Sequence, residues 1–260
     1  MKYAKKSLGQ NFLIDLNIIR KIVNQIEINN KNVLEIGPGK GALTNLILQK
    51  KPKFLTIIEK DNELFKNLKL KYQNTKNLKI INMDILKLNL EKNLKKNSIV
   101  FGNLPYNISS QILINFIRLK LPSKYSDLIL MFQKEMGERI IGKFNTTKYG
   151  RLSVLANFKL EIIKKFHVSP NCFIPVPKVD SMVIHFKPKK KTAFNIRNIE
   201  NLEKVTRILF SNKRKMINKN IKKILGSEKL NSIKDFDLNY RPSDIKPEKY
   251  YEITELFEKD

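Results

Sequence analysis

The chain predicts an α/β fold, with a parallel-rich seven-stranded sheet and flanking helices followed by a small all-helical domain. Two observations carry that expectation. Short apolar runs alternate with stretches of helical period from Val33 to Phe186, the pattern of strands joined by crossover helices. Beyond the basic linker Lys187-Pro-Lys-Lys-Lys-Thr192, the segments Ile199–Leu209, Ser211–Leu225 and Ser243–Phe257 show helical apolar spacing and no strand-like alternation, with Ser and Pro near the expected helix starts. The domains are therefore expected at 1–188 and 189–260. At 260 residues the chain has ample length for one large core and a small appendage.

In order, Asp15–Ile26 reads as a helix, and Val33–Ile36 as a strand that ends in Gly37-Pro-Gly-Lys-Gly41 and passes straight into the helical run Ala42–Leu48. Phe54–Ile58 is the next strand, Asp61–Leu70 a helix, and Leu78–Met83 and Ser98–Phe101 further strands. Ile108–Leu119 and Lys134–Ile141 read as helices around the strand Asp127–Phe132, and Ala156–Phe166 and Ser181–Phe186 supply the last two strands.

The chemistry falls at the strand ends. Glycines at 37, 39 and 41 let the backbone approach a ligand closely, and the helix that follows adds a partial positive charge. The spacing Gly-x-Gly-x-Gly is not the dinucleotide fingerprint, and Glu35 just before it would repel a pyrophosphate but suit a cationic amino acid moiety. Glu59 stands about 20 residues beyond the loop, where an acid meets ribose hydroxyls in nucleoside-binding βαβ units. Asp84, with Ile85 beside it, could accept from the amino group of an adenine. A nucleoside with a cationic arm is S-adenosylmethionine, whose sulfonium carries an electrophilic methyl. The fourth strand closes on Asn103-Leu-Pro-Tyr106. Asn103 and the Leu104 carbonyl could accept both hydrogens of an exocyclic amine and aim its lone pair, with Pro105 stiffening the turn. Tyr106 offers a face on which an extruded base stacks, worth about 1–3 kcal/mol. By itself the tetrapeptide equally fits an ordinary turn at a strand end.

With these motifs in place the chain resembles the small-subunit ribosomal RNA adenine dimethyltransferases from its first residues to its C-terminal helices. Leu8-Gly-Gln-Asn-Phe-Leu13 looks like that family's N-terminal signature, and Phe173-Ile-Pro-Val-Pro-Lys-Val-Asp-Ser181 like its proline block. The resemblance implies a Rossmann-like class I methyltransferase fold whose last two strands form an antiparallel hairpin. It also implies Asn11 and Leu13 as cofactor contacts beside Gly37, Gly39, Glu59, Asp84 and Asn103. Phe173 would stack on the target adenine opposite Tyr106, whereas from the residues alone it reads as a buried loop aromatic under a proline-rich cap. The implied substrate is a pair of adjacent adenosines in the 3′-terminal hairpin of small-subunit RNA within a partly assembled particle. Two relatives of this reading remain: the large-subunit enzymes of the macrolide-resistance type, against which Leu104 and Asp180 speak, and a DNA adenine methyltransferase, for which about 70 C-terminal residues are few. A non-catalytic assembly factor of the same fold would have less need of Asn103, Glu59, Asp84 and the glycines.

Charge agrees with a nucleic-acid partner. There are 51 Lys and Arg against 24 Asp and Glu, a formal net charge of +27, though Lys and Asn crowd even unremarkable stretches such as 87–97. The clusters singled out are Lys5 and Lys6, Lys187–Lys191, and Lys213-Arg214-Lys215 within an apparent helix. One cysteine excludes an internal disulfide, and two distant histidines make no metal site. No run is long enough to span a membrane, and the opening residues lack the apolar centre of a secretory signal, so a cytoplasmic monomer is expected.

Overall fold

A computed structural model describes residues 10–233 and 236–259, so Lys5 and Lys6 lie outside the described residues. In chain order the elements are β1 (Phe12–Leu13), α1 (Leu16–Val23), β2 (Asn32–Ile36), α2 (Ala42–Gln49), β3 (Phe54–Glu59), α3 (Asn62–Lys71), β4 (Leu78–Asn82), α4 (Leu90–Asn93), β5 (Ser98–Asn103), α5 (Ser109–Arg118) and β6 (Tyr125–Gln133). There follow α6 (Lys134–Ile140), α7 (Arg151–Lys159), β7 (Leu160–Val168), β8 (Phe173–Ile174), β9 (Ser181–Pro188), α8 (Ile199–Leu209), α9 (Asn218–Ile221), α10 (Ser227–Asn231) and α11 (Pro247–Phe257).

The chain divides into two compact units. The first comprises residues up to 137 together with 162–188, and the second 138–161 together with 189–260. The boundary expected at 188/189 is thus one of three crossings, because residues 138–161 belong with the C-terminal helices.

The first unit is built on a seven-stranded sheet of order β4-β3-β2-β5-β6-β9-β7. Its first four neighbouring pairs are parallel and β6–β9 is antiparallel. The central strands are apolar on both faces because helices cover both, which is why Val33, Leu34, Leu55, Ile57, Val100 and Phe101 are all buried. Register matters most here: Ile36 lies opposite Ile58 and Gly102, and Glu59 opposite Asn82. The C-terminal ends of four parallel strands therefore fall in one row, and the residues that follow them emerge side by side. Acids then start the next elements. Asp61 accepts from the backbone N–H groups of Glu63 and Leu64 at 2.9 and 3.0 Å to open α3, and Asp84 from that of Leu86 at 2.9 Å to open a short 3₁₀ turn.

A separate two-stranded ribbon pairs β1 antiparallel with β8. Phe12 lies opposite Ile174 and Leu13 opposite Phe173, so each pair shares a face. Leu13 and Phe173 take the inner face and join the core, Phe173 with no exposed surface at all. This corrects the expectation that Phe173 stacks on a base: period-two alternation turns its ring inward and leaves Ile174 outward, 47% exposed.

Two sequence expectations change in the second unit. Ala156–Phe166 is not one strand, because its first four residues finish α7 and β7 begins at Leu160. Ser153, Val154, Leu155, Ala156 and Phe158 of α7 are all buried, so the helix shows no apolar stripe by which its period could be read. Ser211–Leu225 is not one helix either. A 3₁₀ turn at Phe210–Asn212 and the single turn α9 replace it, and Asn218 and Asn220 spend their side chains locally, on the N–H of Lys219 and the hydroxyl of Ser211. Tyrosines hold the unit together: Tyr149 donates to the carbonyl of Ile245 at 2.9 Å and Tyr251 to that of Val154 at 3.0 Å, and the Tyr250 ring stacks on Phe210. Among the described residues no helix is long and apolar enough to cross a membrane.

Replacing the core ring, Phe173→Ala, is expected to lower the unfolding free energy by about 3–5 kcal/mol, whereas Ile174→Ala changes it by less than about 1 kcal/mol. Urea denaturation of the two variants checks the assignment. Equal, small effects would place Phe173 outside the core.

Candidate active site

The row of strand ends opens into a cavity of about 280 Å³ in the first unit. Asn11 and Leu13 of the N-terminal strap, Glu35, Gly37 and Gly39 at β2, Glu59 at β3, Asp84 and Ile85 after β4, and Asn103 to Tyr106 after β5 all line it. Of the residues expected in the site, Phe173 is the one absent from its wall, and Ile174 takes its place.

Gly37 and Gly39 have φ of +64° and +58°, a region L side chains rarely adopt. A Cβ at Gly39 would also stand 3.0 Å from the ring of Phe12, so the glycine lets the strap close onto the loop. Glu59, 6% exposed, joins the same loop to β3: one carboxylate oxygen accepts from the N–H of Gly39 at 3.2 Å and the other from that of Asp61 at 2.8 Å. Burial pushes its pKa above the usual carboxylate range. Asp84 is held below that range by Lys60, whose ammonium lies 2.8 Å from its second oxygen.

Glu35 is different in kind. Its carboxyl is 1% exposed, the Thr44 hydroxyl donates to one oxygen at 2.7 Å, and the other oxygen is buried with no hydrogen-bond partner among the described residues. Burial outweighs the Thr44 bond and pushes its pKa up to about 7. A buried carboxylate oxygen without a donor calls for a cationic or N–H group in the cavity. Together with Glu59 and Asp84 it makes the cavity a poor receptor for phosphates and a good one for a nucleoside bearing an ammonium.

At the far end of the row, the side-chain amide nitrogen of Asn103 donates to the carbonyl of Asn11 at 3.0 Å. This bond commits the nitrogen and leaves the side-chain oxygen as the acceptor for a ligand. Leu104 anchors the turn, its side chain 1% exposed. Gly102 makes room for it, since a Cβ there would meet Leu104 Cδ2 at 2.6 Å. The Tyr106 hydroxyl shares a 2.6 Å hydrogen bond with Ser181 at the start of β9, which fixes the ring, and burial raises the phenol pKa.

Sequence reasoning missed Thr44, Lys60, Gly102 and the outward side chains of Phe12 and Ile174. Gly102 had a visible signal, a glycine inside an apolar strand directly before Asn103. Pairings such as Thr44 with Glu35 had none.

Comparison with known proteins agrees with this geometry. The family model for ribosomal RNA adenine dimethylase matches residues 1–259. The chain belongs to that family. It is 46% identical over 258 residues to the ribosomal RNA small subunit methyltransferase A of Pelagibacter ubique, covering 98% of this chain and 97% of that protein. To the protein of the same name from Malacoplasma penetrans it is 41% identical, with 96% and 91% covered. Among solved structures, a dimethyladenosine transferase from Plasmodium falciparum superposes with a TM-score of 0.76 at 25% identity, covering 93% of this chain and 95% of that one. The 23S rRNA methyltransferase ErmE, at 24% identity and a TM-score of 0.67 with 96% and 100% covered, shares the fold. The cofactor of this family member is S-adenosylmethionine, and the acceptor set of Glu35, Glu59 and Asp84 fits it.

Glu35 gives the site a pH dependence. Folding raises its pKa from 4.5 to about 7, so the folded chain binds a proton more readily than the unfolded chain, and this contribution to stability is lost as pH rises through that window. A cationic ligand group favours the ionised carboxylate, so the affinity for S-adenosylhomocysteine is expected to climb about tenfold from pH 6 to pH 8 and level off above the Glu35 pKa. In Glu35→Gln the titration calorimetry profile should be flat over that range. A wild-type profile equally flat would remove Glu35 from the ligand's ammonium.

Proposed function

We propose that this chain dimethylates N6 of adenosine in small-subunit ribosomal RNA, at the two adjacent adenosines of the 3′-terminal hairpin, acting as a cytoplasmic monomer on a partly assembled subunit. The single observation that carries the reading is the Asn103 amide, tied through its nitrogen to Asn11 so that its oxygen is left to accept. The small-subunit assignment rests on the names of the relatives, which match this chain along nearly its whole length.

When bound, the cofactor supplies an electrophilic methyl group. Glu35 would hold its ammonium, Glu59 the ribose hydroxyls, and Asp84 beside Ile85 the adenine, while Gly37 and Gly39 give the backbone close approach and Asn11 and Leu13 cover it. On the substrate side the Asn103 oxygen and the Leu104 carbonyl accept the two N6 hydrogens, which localises the nitrogen lone pair and aims it. Tyr106, braced by Ser181, stacks on the extruded base. No side chain need act as a base, because the nitrogen becomes strongly acidic once methylated and gives its proton to water.

The second unit carries an exposed basic turn. Lys213, Arg214 and Lys215 are all exposed on the turn between α8 and α9, with Lys219, Lys222 and Lys223 close behind in sequence. Exposed cations on a chain of net charge +27 suit RNA phosphates.

Asn103→Ala should lose at least about a hundredfold in methyl transfer, the scale of removing a preorganised hydrogen-bonding group, while RNA affinity stays nearly unchanged. Mass spectrometry of unmethylated small subunits incubated with labelled cofactor reads the transfer, and wild-type-like turnover would end the acceptor role. Changing Lys213, Arg214 and Lys215 together to Ala should weaken RNA binding and lower the slope of log affinity against log salt by up to about three phosphate contacts' worth. An unchanged slope would mean that those charges face only solvent.

A further inference from the structure

The ribbon that turns Phe173 inward has an outer face, and that face is apolar. Ile174 of β8 is 47% exposed, Ile14 beyond β1 is 47% exposed, and Val176 in the proline loop is 59% exposed. Ile14 lies two residues beyond Phe12, which is opposite Ile174, so the alternation of an extended pair puts Ile14 and Ile174 on one side, and Val176 follows two residues on in the exposed loop. The backbone N–H of Ile14 donates to the carbonyl of Cys172 at 2.9 Å, which holds the strap in that register. Ile14 and Ile174 also line the cavity that contains Asn103 and Tyr106, so the apolar surface runs from the cavity wall outward.

We propose that Ile14, Ile174 and Val176 form a shelf for the face of the nucleobase next to the target adenosine. The inference rests on the reading that an RNA adenosine enters this cavity, and it names where the neighbouring nucleotide goes. That neighbour is joined to the target by one phosphodiester, so with the target at Asn103 it has to lie at the mouth. Extruding the target removes the neighbour's stacking partner on that side, which exposes an apolar base face to water. The shelf offers matching apolar surface, and covering it removes aliphatic area from water. Pro175 and Pro177 on either side of Val176 fix their own φ and carry no N–H, so the loop presents the side chain with little freedom to lose and no backbone donor left unpaired at those positions. Exposed Lys178 follows directly, a cation next in sequence to the proline loop. Contact through aliphatic side chains reads a base face and not its edge, so the shelf tolerates either purine.

The test uses the full chain and unmethylated small-subunit particles, with S-adenosylhomocysteine present. A photoreactive benzophenone amino acid in place of Val176 should crosslink to RNA, and primer extension should map the adduct to the nucleotide adjacent to the methylated one. Val176→Ser and Ile174→Thr should each raise the KM for particles three- to tenfold, and Val176→Ser should leave the affinity for S-adenosylhomocysteine within twofold of wild type. Adducts mapped to a distant helix or to protein, absence of an adduct, or unchanged KM in both variants would overturn the shelf. If wild type methylates the particles while these results fail, the shelf alone is wrong. If wild type transfers no methyl to them, the functional reading fails and the shelf falls with it.

Discussion

Parallel register is the constraint on which the rest of this protein depends. Four strands in the order β4-β3-β2-β5 finish level with one another, so Asp84, Glu59, Gly37 and Asn103 come together from positions far apart in the chain. A slip of one residue in any strand would turn its apolar faces over and withdraw its functional residue from the row. The core and the site are thus specified by the same hydrogen bonds.

Across that row lies the N-terminal strap, which connects three functions at once. Phe12 packs on Gly39 of the glycine loop, the Asn11 carbonyl takes the Asn103 amide, and β1 pairs with the proline loop at β8. The acceptor that would face a substrate is therefore oriented by a segment that also covers the cofactor loop. Glu35 adds a second form of preorganisation: a buried oxygen without a donor is an unfavourable state that a cationic group in the cavity relieves.

The two units differ in which charged groups they gather. The acids at the strand ends of the first, Glu35, Glu59 and Asp84, line one cavity as hydrogen-bond acceptors. An exposed run of cations sits in the second, on the turn at Lys213–Lys215. Tyrosine hydroxyls bonded to backbone carbonyls brace that unit, which keeps its surface free for Lys and Arg.

Much of this was legible without coordinates wherever the signal is local. The glycine loop, the acids one residue after apolar runs and the Asn-Leu-Pro-Tyr turn are short motifs whose backbone demands are met by their own residues, so their places at the strand ends could be read directly. Where packing decides, the reading slipped. The helix Arg151–Lys159 is buried on nearly every side and shows no period, and Ser211–Leu225 has helical spacing but too many Asn and Ser side chains competing for its backbone. Phe173 is the clearest case: sequence places an aromatic in the proline loop, but only pairing with Leu13 decides which way it points. Sequence determined which polar residues stand at the strand ends, since that depends on residue type and spacing. Tertiary structure decided which face each one presents, since that depends on a partner strand the local sequence does not contain.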